Sequence, residues 1–151
     1  MQTDVMPSHM CWSGKLKLLV LRALRLAPYL LGTEILVTLV FALVPADSVL
    51  LSVALWDKTQ HIAVFALLAL TASVAYPTKR RLGYASLLAL GAIIEIMQAG
   101  LTMTRSGEFL DLLADGIGIV LGSFLYWLLR PYLSGATEPS RASQPPRDET
   151  D

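Results

Sequence analysis

Apolar residues fall into four long runs, separated by short polar or proline-containing segments. The first extends from about Leu26 to Val44, with Pro28 near its start and Pro45 closing it. The second covers about His61 to Tyr76 and can borrow Trp56 to Gln60 at its start. The third covers about Leu82 to Leu101, and the fourth about Phe109 to Tyr132. Roughly 20 helical residues cross a bilayer. The runs are too long for strands, and Ala and Leu outnumber β-branched residues in them. Inside hydrocarbon each backbone amide needs a local partner, which selects helices. The expected fold is an all-α polytopic membrane protein with four transmembrane helices within residues 28–132.

The flanks read differently. In residues 15–27, Lys15, Arg22 and Arg25 lie near one helical face and leucines fill the rest. This predicts a basic, interface-lying lead-in helix ahead of the first span, in an N-terminal region of residues 1–27. Residues 46–55 form a mildly apolar connection that fits a short interfacial helix. Residues 133–151 are rich in Pro, Ser, Thr and charge, and predict a disordered tail without an assigned function. Lys15, Lys17, Arg22 and Arg25 interrupt what would be a signal-peptide core, so a cleaved leader is not expected.

Composition agrees with the pattern. The chain is 54% hydrophobic and 16% charged, too little charge to cover a soluble domain of 151 residues. Formal net charge is zero, so no bulk field points to nucleic acid, and no nucleic-acid partner is expected. Cys11 is the single cysteine, which rules out an intrachain disulfide.

Positive charge sets the expected orientation. Lys15, Lys17, Arg22 and Arg25 precede the first span; Lys79, Arg80 and Arg81 separate the second and third; Arg130, Arg141 and Arg147 follow the fourth. With four spans these three regions share one side and hold ten of the twelve Lys and Arg residues. Lys58 and Arg105 fall on the other side. Both termini are therefore expected in the cytoplasm of a cell whose inner membrane the chain crosses. Trp12, Trp56, Tyr76, Tyr84, Trp127 and Tyr132 stand near span ends, where an aromatic belt forms.

On that topology the polar residues of the last three spans gather in the outer half. Asp57, Lys58 and His61 open the second span; Glu95 and Gln98 lie in the outer half of the third; Arg105 is in the outer loop; Asp111 and Asp115 open the fourth. Asp57 and His61 share a helix face, as do Glu95 and Gln98, and Asp111 and Asp115. Glu95 is roughly 5 Å past the midplane of its span at 1.5 Å per residue. A carboxylate at that depth costs about 2.5–3.5 kcal/mol on insertion scales, so it should face protein or a wet cleft. Its candidate partners are His61, Lys58 and Arg105. Ala114, Gly118 and Gly122, each four apart, form a small-residue stripe for close helix packing, and Asp111 and Asp115 lie beside it. Glu34, mid-span in the first helix, lies apart from the cluster. It reads as a proton site or as a residue with a partner inside the bundle.

These residues resemble a known pattern. Asp57-Lys58-Thr59-Gln60-His61, then Glu95-Ile96-Met97-Gln98, then Arg105, then Asp111 to Asp115 and Gly118, are similar to the DKxxH, ExxQ, Arg and DxxxNxxG pieces of the VanZ-like family. The likeness covers roughly residues 45–130, in order and spacing. Phe65 stands where that family often has an aromatic hydroxyl, and Asp115 where it usually has Asn. The family takes its name from a protein implicated in resistance to the glycopeptide teicoplanin. The resemblance implies a class of cell-envelope membrane protein and supplies no mechanism.

Three functional readings follow. In the first, the outer-side cleft binds a lipid-linked or amphiphilic envelope molecule. Arg105, Lys58 and His61 then meet anionic groups, while Glu95, Gln98, Asp111 and Asp115 orient them. In the second, the chain is an intramembrane enzyme in which His61 or Glu95 is the acid/base and Asp57 orients the imidazole. In the third, it is a structural helper, and the polar network fixes helix register. A membrane lipid or amphiphile is the expected partner, with another membrane protein or a second copy as alternatives. No spacing matches a zinc signature such as HExxH, so neither metal nor cofactor is expected from the sequence, although His61 among four carboxylates also admits a metal or proton-transfer role.

Overall fold

The structure is a computed structural model that describes residues 14–43, 54–101 and 109–137. It is all-helical. The elements are α1 (Gly14–Leu43), α2 (Ala54–Ala75), α3 (Arg80–Leu101) and α4 (Phe109–Thr137). Each is long and apolar enough to cross a membrane. The outer surface is as apolar as lipid contact requires: Ile96 and Phe109 are each 72% exposed.

Two helices are longer than the hydrophobic pattern predicts. The basic lead-in is not a separate element, because α1 continues unbroken through Pro28. Its 30 residues span about 45 Å at 1.5 Å each, against about 30 Å of hydrocarbon. The proline removes a single amide donor, and membrane helices accommodate that. Likewise α4 runs through Pro131 to Thr137, so residues 133–137 are helical and not part of a disordered tail. The reading of residues 46–53 lies outside the described residues, as does that of the tail beyond 137.

Helix α2 occupies the centre. Its buried residues Phe65, Leu68, Ala69 and Ala72 fall at helical spacing on one side. They meet Leu31 of α1, Leu87 and Ile94 of α3, and Ile119 of α4. In lipid there is no hydrophobic drive between helices, so close packing and polar ties must hold them. The α2–α4 seam supplies the packing. A Cβ on Gly118 would stand 2.5 Å from the Ile62 carbonyl oxygen, and one on Gly122 would overlap that of Ala66. Residue numbers at these contacts rise together in both helices, so α2 and α4 run parallel, and α1 and α3 run opposite to them.

Polar ties lie away from the α2 and α4 N-termini as well. Thr71 Oγ1 donates to Glu34 Oε1 at 3.1 Å, giving Glu34 a partner inside the bundle. Ser73 Oγ donates to the Ala69 carbonyl at 2.6 Å and lies 2.8 Å from the Tyr84 hydroxyl. The Arg80 guanidinium sits 5.2 Å over the Tyr126 ring, tying α3 to α4 by a cation–π contact.

Candidate functional site

Because α2 and α4 run parallel, their N-terminal turns lie side by side. The C-terminal half of α3 completes the group. Asp111 occupies the first turn of α4, where the helix dipole favours a negative charge. Lys58 Nζ donates to Asp111 Oδ1 at 2.9 Å. One turn further, His61 Nδ1 lies 2.7 Å from Asp115 Oδ1. The two pairs are stacked along the α2–α4 seam, set by the four-residue spacing of Asp111 and Asp115 against the three-residue step from Lys58 to His61.

Glu95 of α3 joins them. A ligand atom of His61, one of Glu95 and one of Asp111 all lie within 4.8 Å of one another. Glu95, Asp111 and Asp115 are buried, Asp115 completely. Lys58 keeps 27% of its side chain exposed, so the cluster reaches the surface on that side. Phe65 lies on the His61 ring, with planes 2° apart and centroids 6.5 Å apart.

Gly91 belongs to this site, although spacing among the polar residues does not reveal it. A Cβ there would overlap Asp115 Oδ2 and stand 3.3 Å from Phe65 Cζ. Its place one turn before Glu95 is the only signal in the sequence: a glycine inside an apolar helix marks close approach of another group. Thus Asp115 reaches α2 through Oδ1 and presses against α3 through Oδ2. Oδ2 is buried without a hydrogen-bond partner among the described residues.

Among the remaining sequence candidates, Gln98 is buried but turns toward α1, where its Nε2 donates to the Ala42 carbonyl at 3.0 Å. That carbonyl belongs to the last described turn of α1, so Gln98 ties α3 to the end of that helix. Ala114, Gly118 and Gly122 lie buried on the packing side of α4. The side chain of Asp57 and the whole of Arg105 lie outside the described residues. The carboxylate on His61 Nδ1 is Asp115; the expected pairing of Asp57 with the imidazole falls on a side chain outside the described residues.

The same turns of α4, with Leu88 of α3, line an apolar groove of about 570 Å³. On α4 it is lined by Phe109, Leu112, Leu113, Gly116 and Ile117. These α4 residues interleave with Asp111 and Asp115, so two turns of one helix show carboxylates on one side and an apolar channel on the other. No protein-family model matches this chain, and no curated protein or solved structure matches it.

Proposed function

We propose that this chain is a VanZ-like protein of the bacterial plasma membrane, with both termini cytoplasmic, that binds a lipid-linked or amphiphilic cell-envelope molecule and has a role related to glycopeptide resistance. The family likeness is carried by the four motif pieces in Asp57 to His61, Glu95 to Gln98, Arg105, and Asp111 to Gly118. The inside location of the termini rests on the Lys and Arg distribution. The observation that carries the binding reading is that the same two turns of α4 carry the apolar groove on one side and the buried polar cluster on the other. A single amphiphile would lay its acyl chain against Leu112, Leu113 and Ile117 and its polar head near Lys58, His61 and Asp111. Lys58 is already engaged by Asp111. A head group with hydroxyls or amides therefore suits the cluster better than a bare phosphate.

The test uses the full chain in lipid nanodiscs, titrated with teicoplanin and with the same glycopeptide lacking its acyl tail. A polyprenyl-linked cell-wall precursor forms a second arm. Saturable binding that needs the tail and falls at least tenfold in Gly116→Phe is the expected result. Gly116 lines the groove, and nothing lies within 4 Å of a Cβ placed there, so the new ring fills the channel without disturbing packing. Binding to neither amphiphile, or binding indifferent to Gly116→Phe, overturns the reading.

A second reading, intramembrane catalysis, is favoured by the His61–Asp115 geometry. A carboxylate on Nδ1 orients an imidazole so that Nε2 can take or give a proton. Turnover of the lipid-linked precursor by the wild-type chain, lost in His61→Ala, would separate it from binding alone.

A further inference from the structure

Glu95, Asp111 and Asp115 bring three carboxyl groups together in a buried setting, with the Lys58 ammonium on Asp111. Gathering carboxylates beside hydrocarbon is costly, and a cation among them lowers that cost.

The donor geometry points the same way. The ligand atoms of His61, Glu95 and Asp111 lie within 4.8 Å of one another. Donors about 2.0–2.2 Å from a tetrahedral zinc ion stand roughly 3.3–3.6 Å apart, so a small closure of this triangle would seat an ion. Asp115 supplies an independent indication. Imidazoles that ligate a metal donate their other N–H to a carboxylate or carbonyl, which fixes the tautomer and makes the ligating nitrogen more basic. Asp115, wholly buried, occupies that place on Nδ1 at 2.7 Å, which makes Nε2 the ligating atom of His61. Lys58 engages one oxygen of Asp111, and the carboxylate has a second to offer an ion.

We propose that His61, Glu95 and Asp111 bind a first-row divalent transition-metal ion such as Zn2+ or Mn2+, with Asp115 positioning the imidazole. One nitrogen and two carboxylate oxygens select this class over Mg2+ and Ca2+, which prefer all-oxygen shells. Metal binding needs neither the groove nor an amphiphile, so the inference stands apart from the binding reading above.

The full chain, purified in detergent and stripped with chelator, is dialysed against Zn2+ alone and against Mn2+ alone, and bound metal is counted by mass spectrometry. One ion per chain is expected, with affinity at least tenfold lower in the near-isosteric Glu95→Gln and unchanged in the groove variant Gly116→Phe. The chain has two histidines, so a His9→Ala background reports on His61 alone. Bound Cu2+ in that background should show nitrogen hyperfine coupling from an imidazole, a readout that does not depend on any cluster variant folding. Absence of stoichiometric metal, equal uptake by Glu95→Gln, or Cu2+ without nitrogen coupling each overturns the inference. Tail-dependent binding of an amphiphile by a chain that takes up no metal would overturn this inference alone and leave the binding reading intact.

Discussion

His61 Nδ1 and Asp115 Oδ1 meet at 2.7 Å across the seam between two parallel helices, 54 residues apart in sequence. The carboxylate has no contact with the outside, and its second oxygen is pressed toward Gly91 of a third helix. A short polar contact in that setting is strong, because no water competes for the buried carboxylate. It fixes the ring orientation, with Phe65 stacked beside it.

Asp115→Asn keeps an oxygen acceptor for Nδ1 and nearly the same volume. It should leave thermal stability in detergent within about 1 kcal/mol of wild type. Asp115→Ala removes the acceptor and leaves a void, with an expected loss of about 2–4 kcal/mol. Equal melting temperatures for the two variants would show that the contact does not hold the seam.

The Lys58–Asp111 pair should show strong coupling. Lys58→Met strands a buried carboxylate at an expected cost of roughly 2–3 kcal/mol, below the about 3–5 kcal/mol of a fully buried pair because Lys58 is partly exposed. Lys58→Met combined with Asp111→Leu should recover most of that loss. A double-mutant cycle of thermal unfolding measures it, and strict additivity of the two single effects would contradict the pairing.

Small residues on α4 differ sharply in what they tolerate. Gly122→Leu forces a side chain onto the Ala66 carbonyl and should sharply reduce accumulation of the protein in the membrane. Gly116→Ala meets nothing within 4 Å and should be neutral or stabilising by up to about 1 kcal/mol. Comparable accumulation of Gly122→Leu and Gly116→Ala would argue against a tight α2–α4 seam.

Thr71 and Glu34 form a separate polar tie. Thr71→Val removes the hydroxyl that donates to Glu34 Oε1, for an expected loss of about 1–3 kcal/mol. Glu34→Gln carries its own donor, so the double variant Thr71→Val/Glu34→Gln should regain stability relative to Thr71→Val alone. Neither change should alter Zn2+ uptake, since the tie is several turns from His61. Altered uptake, measured by mass spectrometry, would mean the two polar groups are coupled.

Orientation is testable in intact cells. In a Cys11→Ser background, Thr78→Cys should resist a membrane-impermeant thiol reagent until the cells are lysed. Labelling of intact cells at this position would reverse the topology.

Much of the helical architecture was legible because hydrocarbon permits few alternatives to a hydrogen-bonded helix: the third run matches α3 closely, and the second matches α2 once Trp56 to Gln60 are added to its start. Lengths were less legible where a proline intervened. Pro28 stands near the start of the first run in sequence, yet α1 extends well before it, and α4 continues past the expected end at Tyr132 to Thr137. The gathering of Lys58, His61, Glu95, Asp111 and Asp115 was foreshadowed by their common depth. Their pairing was not. Spacing along one helix says which residues share a face, and it placed Asp57 beside His61; it is silent on which residue of another helix faces that point. Gln98 likewise shares the sequence motif with Glu95 but ties α3 to α1.

The sequence by itself determined that these segments are helices and that their ionisable groups fall at similar depth, because local hydrogen bonding and the cost of charge in hydrocarbon act residue by residue. Only the tertiary structure decided that Gly118 and Gly122 draw α4 onto α2, so that Asp115 meets His61, and that Gly91 admits the carboxylate between three helices. Those outcomes depend on rotation and register between helices. They are fixed by contacts among residues distant in the chain, where small side chains let backbones come closest.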